Sequence, residues 1–478
     1  MYKFTKPTID SIRGLKRLRV FLVLVGVSLL CKLIFTLPAI RDSSKLFLAP
    51  DAKEYNRLAI NVVENHIFSP DSIPPYRQEH SRPPLYPLFV AMLYGILGKY
   101  PLLVVSAQLM VGTLTVILLF LLVLRITASE KLSFIASLLF ALSPNVSFFS
   151  AQLFTETLFS FLLLLAFYFF VTYIQHRKTR HLFISAFALG LSTLTRVVSL
   201  YLPIFLVIFL MYLYGKEISK LVIPALLFLA MYYITLSPWY IRNFVVFKKP
   251  VIVEINLLRG HAAILEANLK KISVQQASDL LENELRVRGE NYPQVDTANP
   301  IEIARLGRKI GLEHIKRAPL IYAKIHFMGM LANLTIPLGF THLLFYFTGT
   351  SFEQLGSKTV VLQDTFVLLS RGKIWPGLKL LWENRVKKLP KGILMVFLGC
   401  LFYQITMLLF TVMGLFRPYV KKRTILLFVL VILYFLIVTG PLVESRFRAP
   451  IEPFLSMLAA MGFGWLFLNK KLIRHNSS

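Results

Sequence analysis

Residues 104–124 read VVSAQLMVGTLTVILLFLLVL, and no charged side chain interrupts them. The run has no period-2 alternation, so it is not a barrel strand. In lipid every backbone N–H and C=O has to be satisfied inside the segment, which leaves a membrane-crossing α-helix of about 20 residues. The same reading extends outward along the 478-residue chain, which is 56% hydrophobic and 13% aromatic with a mean hydropathy of +0.64. Counting the run just quoted within 101–125, apolar stretches fall near 20–38, 101–125, 132–149, 157–174, 182–198, 200–214, 221–238, 392–416, 424–441 and 450–468. They predict an all-α, polytopic membrane protein with about ten transmembrane helices. PLIYAKIHFMGMLANLTIPLGFTHLLFYFTG (319–349) is apolar enough for a further membrane hairpin. That raises the expected number to about twelve and leaves the sidedness of the rest unchanged.

The formal charge of +29 does not point to nucleic acid, because the Lys and Arg are dispersed through short loops between apolar runs, where they act first as topology signals. KRLR (16–19), HRKTRH (176–181), RPYVKKR (417–423) and NKKLIR (469–474) carry no acid. Placing them in the cytoplasm puts both termini there as well. The basic stretch before the first run lacks a small-x-small cleavage site after it, so 20–38 is expected to remain as an anchor. Cys31 and Cys400 both fall in expected spans, which excludes a disulfide framework and a thiolate metal site.

Three regions follow from this topology. Residues 1–238 form a transmembrane module with a first external loop at 39–100. Residues 239–391 form an extracytoplasmic helical region that includes the possible hairpin, and 392–478 hold the C-terminal transmembrane helices. Most of the 24 acidic residues face the external side. Its one soluble-looking block, 265–317, shows helical periodicity in IEIARLGRKIGLEHI (301–315) and reads as a small helical subdomain.

PDAKEY (50–55) opens an amphipathic helix expected to lie along the outer interface, with Asp51 either as its N-cap or as a carboxylate available for chemistry. In RQEHSRPPLYPLF (77–89) the prolines stiffen the chain around Arg82, which meets either lipid headgroups or a phosphate, whose oxygens match a guanidinium fork. Glu156 stands alone among apolar and hydroxyl residues in LSPNVSFFSAQLFTETLFSF (142–161), either at headgroup level or facing a cavity. Arg196, Arg242, Arg446 and Arg448 occupy external turns. Together these residues describe a basic, acid-edged pocket at the outer membrane surface. Lys32, inside the first span, is expected to snorkel outward.

PDAKEYNRLAINVVENHIFS (50–69) followed by RPPLYPLFVAMLYGILG (82–98) resembles the first external loop of the bacterial glycosyltransferase family 39 and dolichyl-phosphate-mannose-protein mannosyltransferase-like group, which includes the lipid A aminoarabinose transferases. The resemblance continues in order through FTETLFSFLLLL, LTRVVSLYLP, SPWYIRNFVVFKKPVIV and SRFRAPIEPFL. It implies a GT-C-type fold, a polyprenyl-phosphate-linked sugar as donor, inverting transfer on the extracytoplasmic face of a bacterial cytoplasmic membrane, and a glycan, lipid or protein as acceptor. On that resemblance Asp51 and Glu156 are the catalytic carboxylates, with Asp51 as general base. Arg82, Arg196, Arg446 and Arg448 bind the donor phosphate, and Tyr55, Trp239 and Arg242 contact substrate. The mannosyltransferases carry an Asp-Glu pair where this chain has Asp51-Ala52, and the aminoarabinose enzymes place an acidic metal ligand where it has Ser81. No cofactor is certain. Glu79 and His80 are the nearby candidates for a divalent metal, although an acid and a His adjacent in a polar loop are ordinarily solvent-exposed. The competing class is a lipid-linked oligosaccharide flippase or other secondary transporter, which would show midplane charges and repeat symmetry.

Overall fold

A computed structural model describes residues 14–47, 49–251, 257–291, 295–337, 361–384, 386–388, 390–416 and 420–467. Among them there is no strand, in keeping with the all-α expectation. The chain enters through α1 (Gly14–Arg41), then α2 (Pro50–Glu64) and α3 (Leu85–Leu97), which pack on each other through Tyr55, Ala59, Val90 and Tyr94. α4 (Pro101–Thr127) is the quoted run, now seen as an uninterrupted helix. α5 (Glu130–Leu142) and α6 (Pro144–Ser150) meet at a 58° bend, so the span expected at 132–149 is broken. Pro144 cannot donate to the preceding turn, and the Ser143 side chain instead accepts from Val146 N–H to start α6.

α7 (Glu156–His176) is central to the bundle and packs on α8 (Thr179–Thr195) and α4. α9 (Leu202–Tyr214) and α10 (Val222–Phe247) follow. A separate helical cluster is built from α11 (Ala263–Lys270), α12 (Val274–Asn291), α13 (Pro300–Arg317), α14 (Pro319–Thr335) and α15 (Val361–Ser370). Its small core gathers Leu258, Ile264, Leu281, Ile310 and Phe366, as the periodicity of 301–315 predicts. After α16 (Ile374–Asn384) the chain re-enters the bundle as α17 (Lys391–Phe416), α18 (Lys422–Thr439) and α19 (Glu452–Phe467). α17 and α19 cross at Gly414 and Gly462, where an added Cβ on either would collide with a carbonyl oxygen of the other helix. Close approach of this kind gives helices in lipid the packing that a hydrophobic drive cannot.

Among the described residues, six helical runs are long and apolar enough to cross a membrane, or seven with the bent α5–α6 pair. The number is below the expected ten to twelve because helices that follow without a break count as one run and short apolar helices are left out. α9 and α10 join in one run, Val197–Phe247, and α19 is a shorter apolar helix. α14 supplies the first half of the expected hairpin; the second half, the basic segment 469–474 and both chain ends lie outside the described residues.

Candidate functional site

Asp51 does not cap α2. The N-cap is Ala49, Pro50 fills the first helical position, and no side chain caps this end. Asp51 therefore sits in the first turn, where a carboxylate is favoured by the helix dipole. Its side chain is turned to two arginines. Asp51 Oδ1 accepts from Arg82 Nη2 at 2.7 Å, and Oδ2 accepts from Arg446 Nη1 at 2.7 Å. Burial pushes its carboxyl up, but the Arg446 and Arg82 guanidiniums more than reverse this and hold it well below the usual carboxylate range.

Glu54 lies one helical turn after Asp51 and grips Arg82 from the other side, with Oε2 2.6 Å from Nη2 and 3.0 Å from Nε. Glu54 is thus a second carboxylate on Arg82, three residues after Asp51. Tyr55 lies beneath Arg82, its ring centroid 5.3 Å from the guanidinium carbon and 5.0 Å from the Tyr86 ring. It is buried and supports Arg82, where a substrate contact was expected.

Glu79 fixes the backbone that carries Arg82. Its Oε1 accepts from His80 N–H at 2.8 Å, Ser81 Oγ at 2.7 Å and Arg82 N–H at 3.2 Å, and from Ser81 N–H as well. Glu79 is accordingly buried rather than solvent-exposed. His80 rests against Phe247, 6.2 Å between ring centroids. Glu79 Oε1 already serves four donors, so that oxygen is committed to the loop rather than to a metal. Among the described residues no three His, Cys, Asp or Glu side chains gather as a metal site.

Glu156 opens α7 and is 2% exposed, so it is no headgroup-level acid. Its Oε1 pairs with Arg196 Nη1 and lies 3.1 Å from Arg446 Nε. Arg196 also donates to Thr155 Oγ1 at 3.1 Å. With guanidiniums on two sides, Glu156 anchors Arg446 and Arg196. Glu444 completes the edge, with Oε2 4.0 Å from Arg446 Nε and a third of its side chain exposed. Burial pushes its carboxyl up. The result is a ladder of alternating sign, Glu54–Arg82–Asp51–Arg446–Glu156–Arg196, drawn from four separate parts of the chain. One donor in it is unsatisfied: Arg446 Nε is buried and makes no hydrogen bond, its approach to Glu156 being misaligned. A buried N–H without a partner is costly, and such a group is a natural place for a ligand oxygen.

Three expected site residues lie elsewhere. Arg448, 1% exposed, pairs with Glu452 at 2.7 Å and donates to the carbonyls of Asn333 and Ile336. Those carbonyls sit at the C-terminus of α14, where backbone acceptors lack helical partners, so Arg448 stitches α14 to α19. Arg242 donates to Glu79 O at 2.7 Å and Gln78 Oε1 at 2.6 Å, with its guanidinium 4.7 Å from the Trp239 ring centroid. Arg242 and Trp239 hold the 78–79 backbone, one step behind Arg82. Lys32 does not snorkel. It is fully buried, donates to Ser28, and occupies room left by Gly112, where a Cβ would lie 2.8 Å from Lys32 Cε.

The architecture and the ladder define a polytopic helical membrane protein with a charged site at one end of its spans. Residues 81–241, which carry Arg82, Glu156 and Arg196, match the family described as dolichyl-phosphate-mannose-protein mannosyltransferase. Through this segment the chain is similar to the family that its motifs resemble. Asp51 and Arg446 lie outside the matched residues. No curated protein matches. Among solved structures, the archaeal oligosaccharyltransferase AglB from Archaeoglobus fulgidus, in complex with an inhibitory peptide and a dolichol-phosphate, is 13% identical with a TM-score of 0.46; the match covers 94% of this chain and 50% of that one. ArnT from Cupriavidus metallidurans, bound to undecaprenyl phosphate, is 13% identical with a TM-score of 0.38, covering 93% of this chain and 77% of that one. The chain thus spans half the length of AglB, and at these scores the likeness carries no residue correspondence.

Proposed function

We propose that the protein transfers a sugar from a polyprenyl-phosphate donor to an acceptor on the extracytoplasmic face of a bacterial cytoplasmic membrane, with inversion at the sugar carbon. Both chain ends are assigned to the cytoplasmic side. The observation that supports this reading best is the unsatisfied Arg446 Nε, set in a half-buried row of guanidiniums whose present partners are carboxylates. A phosphate is the one common membrane-borne group that can replace a carboxylate on an arginine fork and add charge.

The donor phosphate takes N–H groups of Arg82 and Arg446, with Arg196 adding charge from behind Glu156. As those guanidiniums are neutralised, Asp51 loses the interactions that hold its carboxyl low, and its proton affinity rises. It then removes the acceptor proton as the acceptor oxygen bonds to the sugar carbon. The bond from that carbon to the phosphate oxygen breaks in the same step, and its electron pair leaves on polyprenyl phosphate. General-base help of this kind typically contributes about 10²–10⁴-fold. The arginines stabilise the departing charge where water is scarce and preorganised donors act most strongly.

The test is turnover by purified protein in nanodiscs, supplied with polyprenyl-phosphate sugars and envelope extracts from a deletion strain. Mass spectrometry of those extracts names the missing sugar and acceptor, and the anomeric configuration of the product reads inversion. Sugar transfer without release of polyprenyl phosphate, or retention at the anomeric carbon, contradicts the reading.

A further inference from the structure

At the opposite, basic end of the bundle, an open groove runs between α7, α9 and α18. Its floor and walls are apolar, from residues such as Ile174, Phe209 and Leu427, while its rim carries Arg177, Lys421 and Arg423; no carboxylate lines it. Two of the cations are held by aromatic faces. The Arg177 guanidinium carbon stands 4.1 Å over the Tyr214 ring, whose hydroxyl is 2.7 Å from that of Tyr173. Arg423 stands 5.4 Å over the Tyr212 ring. A guanidinium stacked by its face presents its N–H edge in the plane, the direction from which phosphate oxygens bind.

Topology signals need only be basic and near a span end. They do not need a groove or rings that fix their direction. The flank of the groove on α9 exposes Ile204, Ile208 and Met211, a surface suited to acyl chains, so the groove opens toward lipid rather than water. We propose that it is a binding site for an anionic glycerophospholipid of the leaflet on this face. Its phosphate lies among Arg177, Lys421 and Arg423, and one acyl chain follows Ile174, Phe209 and Leu427. The occupant has both parts because the site has both. A free phosphate leaves the apolar walls open to water, and a zwitterionic lipid brings its own cation against three others. This site is separate from the carboxylate ladder and does not depend on the activity assigned there.

The test is native mass spectrometry of the full-length protein titrated with phosphatidylglycerol and phosphatidylcholine of equal chain length. Wild type is expected to retain one phosphatidylglycerol in clear preference to phosphatidylcholine. Each cation near an anionic headgroup contributes about fivefold in affinity, so the Arg177→Gln/Arg423→Gln double variant is expected to lose roughly 25- to 30-fold of that preference. The Lys178→Gln/Arg180→Gln variant removes two exposed cations from the same face outside the groove lining and is expected to keep it. Equal retention of the two lipids by wild type overturns the proposal. So does a groove variant that prefers phosphatidylglycerol as wild type does, or a control variant that loses the preference equally.

Discussion

Replacing Asp51 with Asn removes one charge from the middle of the ladder and leaves Arg82 and Arg446 without the carboxylate they share at 2.7 Å on each side. Asn can offer its oxygen to one guanidinium only, and its NH₂ then faces the other, donor against donor. Two effects of opposite sign follow. The folded state loses a first-turn acid, about 0.3–1 kcal/mol, and part of a half-buried ion pair. The donor phosphate, in contrast, no longer competes with Asp51 for the forks. Unit charges about 4 Å apart at an effective dielectric of about 20 interact by about 4 kcal/mol. Solvent reaches Asp51, whose side chain is 21% exposed, and desolvation offsets much of the attraction. A net of about 1–2 kcal/mol remains, so Asp51→Asn is expected to bind polyprenyl phosphate about 5- to 30-fold more tightly. Its kcat is expected to fall by about 10²–10⁴, because an amide cannot accept the proton. The assay pairs turnover with the inhibition constant of polyprenyl phosphate and the melting temperature. A stable Asn variant with wild-type kcat refutes the base role. Unchanged or weaker inhibition by polyprenyl phosphate refutes the competition between carboxylate and phosphate.

Arg82→Lys keeps the charge but cannot span Asp51 and Glu54 together, so kcat/KM is expected to drop by about 10–100-fold with little change in expression; wild-type kinetics would return Arg82 to a headgroup contact. Arg448→Met is expected to cost about 3–5 kcal/mol by leaving Glu452 buried and unpaired, read as a lower melting temperature, while KM for donor in the folded fraction stays put. A large change in that KM would bring Arg448 back into the site. Burial raises the Asp51 carboxyl and Arg446 and Arg82 lower it further, so its folded pKa is depressed. The stability it contributes is present above an unfolded value of about 3.9 and is lost as pH falls below it. The melting temperature is therefore expected to be flat down to about pH 5 and to fall below about pH 4, less steeply in Asp51→Asn, and a loss complete by about pH 5 contradicts the pairing. Finally, a cysteine at exposed position 296 is expected to react with an impermeant maleimide added outside and one at 178 is not; labelling at 178 in intact cells reverses the topology.

The class of fold was legible because hydropathy integrates over whole segments, and the error of an N-cap or a bend does not change it. The site was partly legible for a similar reason. Asp51, Arg82, Glu156, Arg196 and Arg446 stood out as charges where apolar sequence gave no reason for them, and the structure brings all five into one ladder. What sequence could not supply was direction. Arg446 and Arg448 are two residues apart in SRFR, which forms a 3-10 turn, and the turn sends one to Asp51 and the other to Glu452. Glu54 stands three residues after Asp51 in PDAKEY. At that spacing it shares a helix face with Asp51, which is the signal that could have found it. Lys32 needed knowledge of a partner helix, because Gly112 on α4 makes the room that lets it stay inside. Glu444 lies two residues before Arg446 and has no signature of its own.

The contact between Asp51 and Arg446 joins residues 395 positions apart. A nascent chain inserts its helices in order, so the carboxylates of the first loop are in place while Arg446 has yet to be translated. Until the last helices dock, Asp51 has one of its two arginine partners and the ladder is incomplete. A partly made protein therefore holds no complete ladder, and ribosome transit sets the earliest moment at which one can form.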